Sequence, residues 1–447
     1  MIVGRKNAQA IMAAIFRGGA FARLSALLSR YGALAAQFLI VVLVARGLPK
    51  ADAGAYLLIF GAVTTTSVFA GFGTPDGLVK AIPELLSQGA SAAARAAVVR
   101  SAWFTAWTSL GLVALGMAAA LLQGVAPAIV ISAGLWWLAY AAVFFCGQTL
   151  VALRHEAKGA FVFYALNNLL LLVTTAPFLL LARHADVVGA LHASVAAGAI
   201  AALTGVVFVR RALRALGTEG TGDTRIATQR LGLLIAVARV LQSMLYWVPA
   251  WAVAAASGPA DAAIMGAAGR LLIAATAVIA VFRFTIRGRI VAAGARGDTA
   301  AITRMARASA TIATLVALAA LALVLAVGEP AIGLLFGSGF REAAPVLAIL
   351  LIGAIGESVG GPVDEVLKYQ GQARAVLYGL IVAVAAEVLL AWLLAPYGAQ
   401  AAAAAQAIAF CGMYAFQIVY CRRKLGILIL PYTSPSQLRA AFADEEA

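Results

Sequence analysis

Four charged side chains lie well inside long apolar segments of the chain, away from the segment ends: Arg30, Arg239, Arg270 and Glu387. An ionisable group at that depth in a bilayer is costly unless it faces protein or water. Arg30 and Arg239 lie about six and eight residues into their segments, roughly 9 and 12 Å along a helix. A guanidinium offers a planar fork of donors that matches phosphate oxygens. The two arginines therefore predict a site for a diphosphate, and the alternative is that both side chains extend to the lipid headgroups.

Arg270 and Glu387 each allow two interpretations. Arg270 either lines the same cavity as the other two arginines or pairs with an acid. Glu387 stands in the apolar run Val-Ala-Ala-Glu-Val-Leu-Leu. A carboxylate there either binds the proton or sodium ion that drives movement, or forms a structural ion pair with one of the arginines. The candidate site thus consists of three substrate-binding arginines and one glutamate for ion coupling.

The composition indicates that lipid surrounds these groups. Apolar residues make up 64% of the 447 residues and charged residues only 11%, whereas soluble domains average about 45–50% and 25%. The net charge is +15, but the cations lie in short loops between apolar runs, which argues against nucleic acid as a partner. The three cysteines and three histidines are scattered without metal-ligand spacing. We therefore expect no metal and no cofactor.

Twelve apolar segments are long enough to cross a bilayer as helices. They cover 24–44, 55–72, 97–121, 127–150, 161–182, 187–209, 231–256, 262–282, 308–327, 343–360, 374–395 and 399–420. With the N-terminus in the cytoplasm, 26 lysines and arginines fall on the inside, if Arg100 and Arg374 at the cytoplasmic ends of their segments are included, and 4 fall on the outside. This asymmetry is the positive-inside pattern. An added or missed segment would reverse the sides downstream, so we predict an even number of spans and cytoplasmic termini.

The two halves of the chain resemble each other at an offset of 209 residues. Four charged positions match in sign at this offset: Arg30 with Arg239, Asp52 with Asp261, Lys80 with Arg289, and Arg95 with Arg304. Six spans in each half give both halves the same orientation, as in the parallel repeats of transporters. We predict an N-terminal lobe at 1–209, a cytoplasmic linker at 210–230, a C-terminal lobe at 231–423 and a cytoplasmic tail at 424–447. The alternative is a duplication with a structural role only.

Motifs of the common enzyme classes are absent from the sequence. The chain contains no GxxxxGK[ST] phosphate-binding loop and no HExxH motif. The loops assigned to the outside span only about 3 to 16 residues, which is short for the catalytic loop of a membrane glycosyltransferase. We therefore expect no enzymatic activity.

Four stretches carry a resemblance to a known family. They are Val44–Tyr56, Gly71–Glu84, Leu334–Phe340 and Ala395–Ala399. In order and spacing they are similar to turns of the polysaccharide (O-antigen, Wzx-type) flippases, within the multidrug/oligosaccharidyl-lipid/polysaccharide exporter superfamily. The chain departs from several such relatives in having twelve spans instead of fourteen.

The resemblance implies two six-helix lobes around a central cavity and transport by alternating access. The implied cargo is an undecaprenyl-diphosphate-linked oligosaccharide, moved across the bacterial inner membrane for assembly of a surface polysaccharide such as lipopolysaccharide or exopolysaccharide. The implied partners are membrane lipid and a polysaccharide polymerase with its co-polymerase. Three alternatives stay open: lipid II as the cargo, a multidrug cation exporter of the same superfamily, and a scaffold of a glycan-synthesis complex that transports nothing.

Overall fold

The computed structural model describes the backbone of residues 20–182, 184–216, 228–434 and 436–437. Within these ranges it describes all side chains except those of residues 20–30, 228–231, 278, 280–288 and 295. The regular structure of this part of the chain is helical throughout and includes no strand. The predicted all-α fold class is therefore confirmed.

Fourteen α-helices of five or more residues follow one another in the described ranges. Helical segments that continue into each other are counted as one helix, except in the second span, where α2 and α3 are counted separately. They are α1 (Ala20–Gly47), α2 (Lys50–Thr66), α3 (Thr74–Ser87), α4 (Ser91–Leu122), α5 (Pro127–Ala152), α6 (Glu156–Leu181), α7 (Val187–Arg214), α8 (Thr228–Ser257), α9 (Pro259–Ala295), α10 (Thr299–Phe336), α11 (Ala343–Gly360), α12 (Val363–Tyr369), α13 (Ala373–Leu394) and α14 (Ala399–Leu425).

Helix length and hydropathy identify a multi-pass membrane protein. Among the described residues, eleven helical segments are long and apolar enough to cross a bilayer, and α1 contributes the apolar stretch Tyr31–Gly47. Each of the twelve predicted segments coincides with one of them, because a single chain segment satisfies its own backbone groups in lipid only as a helix. The second segment is longer than predicted. It continues past residue 72 as one helical run, Lys50–Ser87, in which a short irregular turn joins α2 to α3.

The chain divides into two compact units. Unit 1 comprises Met1–Leu43 and Ile59–Val240, and unit 2 comprises Val44–Leu58 and Leu241–Ala447. The end of α1 and the first half of α2 thus belong to the same unit as the C-terminal half of the chain. The predicted lobes at 1–209 and 231–423, with the cavity between them, stay predictions. The predicted linker at 210–230 lies partly outside the described residues.

The core of unit 1 is an apolar cluster contributed by α3, α4, α5, α6 and α7. Leu78 and Ile82 of α3 pack there with Val98 of α4, Leu150 of α5 and Val209 of α7. These side chains are almost fully buried. This packing holds the second half of the second span against its neighbours.

The first residues of the predicted C-terminal tail are part of unit 2. Ile427 and Ile429 are buried in its core, and the backbone N–H of Tyr432 donates a hydrogen bond to Thr311 Oγ1 at 2.8 Å. The guanidinium of Arg307 lies 4.3 Å from the centre of the Tyr432 ring. The segment after α14 is therefore anchored on α10.

Within unit 2, positions related by the offset of 209 residues contact each other. A Cβ added to Gly54 of α2 would lie 1.7 Å from the carbonyl oxygen of Pro259 and 3.3 Å from the backbone nitrogen of Ala263, the repeat equivalent of Gly54. One turn further on, a Cβ added to Gly266 would lie 3.1 Å from a methyl carbon of Leu57, its own equivalent. Self-matching contacts of this kind are expected where a two-fold axis relates two repeats.

This close approach makes Gly54 sensitive to a single added methyl group. We expect Gly54→Ala to lower the free energy of unfolding by roughly 1–3 kcal/mol, because the added carbon meets backbone atoms that cannot rotate away. Thermal unfolding of the detergent-purified protein would measure the loss. Gly111→Ala in α4 is the control, because a Cβ there meets nothing within 4 Å. Equal melting temperatures for the two variants would contradict the prediction.

Candidate functional site

Arg239 of α8 forms an ion pair with Asp76 of α3, and both residues belong to unit 1. Arg239 Nη2 lies 2.9 Å from Asp76 Oδ1, and Nη1 donates to Oδ2 at 3.5 Å. The Asp76 side chain is 4% exposed, whereas that of Arg239 is 34% exposed. The Asp76 carboxylate is thus enclosed by protein, while about a third of the Arg239 side chain remains exposed.

Two residues of α5 complete the surroundings of this ion pair. Gln148 Nε2 donates to Asp76 Oδ1 at 3.0 Å, and the guanidinium of Arg239 lies 5.0 Å from the centre of the Phe144 ring. Phe144 and Gln148 are four residues apart, so they share one face of the helix. An arginine above an aromatic face is attracted by the negative charge of the ring. From one face of α5, Phe144 therefore contacts the cation and Gln148 donates a hydrogen bond to the anion.

An interruption of the second span places Asp76 in this position. The backbone leaves helical geometry at Ala70, and Gly71, Phe72 and Gly73 follow with φ values of +70°, +47° and +78°. Helix α3 then begins again, with Pro75 and Asp76 in its first turn. Asp76 therefore lies at the positive end of the α3 dipole, which favours a carboxylate.

Two threonines form hydrogen bonds with backbone groups of the interruption. The N–H of Gly71 donates to Thr108 Oγ1 of α4 at 3.1 Å, and the hydroxyl of Thr74 donates to the carbonyl of Gly71. Irregular backbone at membrane depth is tolerated only where protein covers it or where it lines a water-filled cavity. In transporters such breaks mark binding sites.

Two glycines bring the start of α3 against α8. A Cβ added to Gly73 would lie 2.1 Å from the carbonyl oxygen of Gly232, and a Cβ added to Gly232 would lie 2.1 Å from that of Gly73. Arg239 follows Gly232 by seven residues, or about two helical turns, and so lies on the same face of α8. The glycine contact therefore sets the distance at which Arg239 reaches Asp76.

The remaining predicted site residues lie elsewhere. Arg270 of α9 is buried in unit 2, with its guanidinium 4.9 Å from the centre of the Trp247 ring. Glu387 of α13 is fully buried in unit 2, and no described residue donates a hydrogen bond to either carboxylate oxygen. Arg30 lies in α1, but its side chain is outside the described residues. No group of three or more potential metal ligands occurs in the part of the chain that the structure describes.

Sequence reasoning missed Asp76. The predicted second span ended at residue 72, because Gly-Phe-Gly-Thr-Pro has the composition of a turn between helices. The apolar residues that follow Asp76, among them Leu78, Ala81 and Ile82, were the available signal that the span continues. If the span is extended on that signal, Asp76 becomes a second charged residue inside an apolar segment of the N-terminal half, beside Arg30.

No family model matches the chain, and no curated protein matches it in sequence. Solved structures do resemble it. An inward-facing multidrug resistance MATE family transporter of the MOP superfamily superposes with a TM-score of 0.71 at 16% identity, over 88% of this chain and 94% of that one. The lipid II flippase MurJ, in an inward closed conformation, superposes with a TM-score of 0.69 at 10% identity, over 96% and 91%. A MOP superfamily transporter from Pyrococcus furiosus, described for the reverse polarity of its binding pocket, gives a TM-score of 0.58 at 15% identity, over 91% and 95%. The chain therefore has the fold of MOP superfamily transporters.

The Arg239–Asp76 ion pair predicts a specific pattern of stability losses. We expect Arg239→Gln to lower the free energy of unfolding by about 3 kcal/mol, since it leaves the Asp76 carboxylate buried without a cation. The double variant Asp76→Asn/Arg239→Gln removes both charges and should recover most of that loss. Thermal unfolding of the purified variants measures both effects.

Lys368→Gln is the matched control, because it breaks the more exposed Lys368–Asp364 pair of α12 and should cost less than about 1 kcal/mol. A double variant no more stable than Arg239→Gln alone would contradict the pairing.

Proposed function

We propose that this protein is a flippase that moves a lipid-linked (undecaprenyl-diphosphate) oligosaccharide across the bacterial inner membrane by alternating access. The MOP transporter fold supports the proposal, as does the similarity to MurJ, which is described as a flippase of lipid II. In the proposed topology both termini lie in the cytoplasm, in keeping with the distribution of lysine and arginine. The product would supply surface polysaccharide assembly, with a polymerase and its co-polymerase as partners.

Arg239 carries the proposal. It lies in a helix long and apolar enough to span a membrane, with Asp76 on one edge of its guanidinium, the centre of the Phe144 ring 5.0 Å away and a third of the side chain exposed. A guanidinium has five N–H donors, so the contact with Asp76 leaves donors for a second anion. A diphosphate offers more acceptor oxygens and more negative charge than one carboxylate, and bidentate arginine–phosphate pairs are among the stronger hydrogen-bonded contacts. We infer that the substrate diphosphate binds Arg239 alongside Asp76 or in its place.

The other predicted residues extend this proposal. Arg30, the repeat equivalent of Arg239, would contribute a second phosphate contact, and Arg270, held against Trp247, a third. Glu387 would bind the coupling ion, since a buried carboxylate without a described hydrogen-bond donor gains a partner when it takes up a proton or a cation.

A multidrug cation exporter is the second candidate. Asp76 and Glu387 are buried carboxylates, and carboxylates suit a cationic drug. The similarity to a MATE transporter favours the same function. In that case Asp76 would be the binding group and Arg239 its counter-ion. Variants of these two residues distinguish the candidates.

We expect the double variant Asp76→Asn/Arg239→Gln, although folded, to flip a fluorescent undecaprenyl-diphosphate oligosaccharide in proteoliposomes about tenfold more slowly than wild type or worse, because the phosphate contact is lost. Asp76→Asn alone keeps the arginine and should retain flipping. Lys368→Gln serves as the control for a surface charge.

The competing functions give different results in the same assay. A cation exporter would lose drug transport on Asp76→Asn alone and would leave the lipid-linked sugar on its original side. A scaffold would flip nothing even as wild type. Normal surface glycan in cells that carry Arg30→Ala/Arg239→Ala at wild-type protein level would overturn the assignment of the phosphate site.

The proposed role of Glu387 gives a separate prediction. Glu387→Gln keeps the shape of the side chain but cannot bind a proton or a sodium ion as a carboxylate does. We expect flipping by this variant to become insensitive to imposed proton and sodium gradients, whereas wild type responds to one of them. Asp364→Asn on α12 is the control. A gradient response of wild-type size in Glu387→Gln would rule out this coupling role.

A further inference from the structure

Unit 1 carries a long apolar groove that is separate from the Arg239–Asp76 ion pair. The groove has a volume of about 580 Å³, within the range of roughly 300–1,000 Å³ typical of pockets that hold small ligands. Helices α4 and α7 both pack on α5, and the groove is lined by residues of all three. On α4 its lining extends from Val98 to Leu110, and Leu138 and Cys146 of α5 lie along it.

The length of the groove matches one leaflet of a bilayer. Val98 and Leu110 are twelve residues apart on α4, which corresponds to about 18 Å along the helix axis. Half of a hydrocarbon core of about 30 Å is roughly 15 Å. Trp103, which also lines the groove, is 63% exposed, so lipid chains have access to it. The groove therefore fits a single extended hydrocarbon chain of one leaflet.

One end of the groove is cationic. Arg210 of α7 belongs to its lining and directly follows Val209, which packs in the same apolar cluster as Val98, so Arg210 lies at the Val98 end. Arg211 and Arg214 follow in the last turn of α7, and Arg95 precedes Val98 on α4 by one turn. All four arginines are exposed. The positive-inside pattern assigns this end to the cytoplasmic leaflet, where basic sites between transmembrane helices bind anionic headgroups.

We propose that this groove binds an anionic phospholipid of the cytoplasmic leaflet, with one acyl chain between α4 and α7 and its phosphate at Arg210. The hydrocarbon chain covers apolar side chains, and the headgroup phosphate meets a guanidinium fork. A zwitterionic lipid binds the cationic end less strongly, because its headgroup carries no net negative charge. The inference does not depend on the cargo of the protein.

Trp103 is a built-in probe of the groove. We would reconstitute the full-length protein in vesicles that contain brominated phosphatidylglycerol or brominated phosphatidylcholine at equal mole fraction, and measure the quenching of tryptophan fluorescence. The chain has seven tryptophans, so the signal of Trp103 is the difference between wild type and Trp103→Phe. We expect Trp103 to be quenched more strongly by phosphatidylglycerol than by phosphatidylcholine.

Two matched controls isolate the groove and its charge. Trp107 is 67% exposed on the same helix but does not line the groove, and its signal, taken from Trp107→Phe, should not distinguish the two lipids. Arg210→Ala should lower the relative affinity of the Trp103 site for phosphatidylglycerol about fivefold, whereas Arg211→Ala should change it much less.

Equal quenching of Trp103 by both lipids would overturn the proposal, as would a preference that survives Arg210→Ala. The proposal also fails if unlabelled polyprenyl phosphate relieves the quenching of Trp103 while unlabelled phosphatidylglycerol does not, since the groove would then hold a polyprenyl tail.

Discussion

A charged side chain inside the bilayer must have a partner, and the ion pair of Arg239 and Asp76 is where unit 1 meets this constraint. Asp76 is enclosed by protein and accepts from Arg239 and Gln148. To present the carboxylate there, the second span breaks its helix and begins again at α3. The break in turn needs Thr108 as an acceptor for its backbone and Gly232 as a neighbour without a side chain. Several features of the unit thus follow from one buried charge.

The two halves of the chain differ in the second helix of each repeat. In the N-terminal half the second span is interrupted at Ala70–Gly73. At the repeat-equivalent position the C-terminal half continues through a single helix, α9, from Pro259 to Ala295. The halves keep their resemblance near Gly54 and Gly266, where equivalent positions contact each other. Contacts that define the repeat are therefore retained in unit 2, while unit 1 carries an irregular segment of the kind that serves a site.

The ion pair also bears on the proposed cycle. Three arginines in apolar segments suggest a cavity with excess positive charge. Asp76 neutralises the charge of Arg239, so in the proposed mechanism Arg239 is already paired before the substrate binds. The diphosphate would compete with an anion of the protein itself, which favours substrates with more than one negative charge. Glu387 has no comparable cation within hydrogen-bonding distance among the described residues, in keeping with a different proposed role.

Hydropathy was sufficient to predict the helical architecture, whereas the sidedness predicted from the charge count stays a prediction. Each predicted segment coincides with a helix because a run of about 20 apolar residues has few other ways to satisfy its backbone in lipid. The candidate site was predictable only in part. Arg239 stands out in the sequence because a cation in an apolar segment is a local feature. Its partner, Asp76, is 163 residues away and follows a stretch with the composition of a turn. Only the tertiary structure shows that this turn lies within a span and that two glycines bring α3 against α8. Local hydropathy records which residues enter the membrane, whereas the pairing of distant residues depends on how the helices pack.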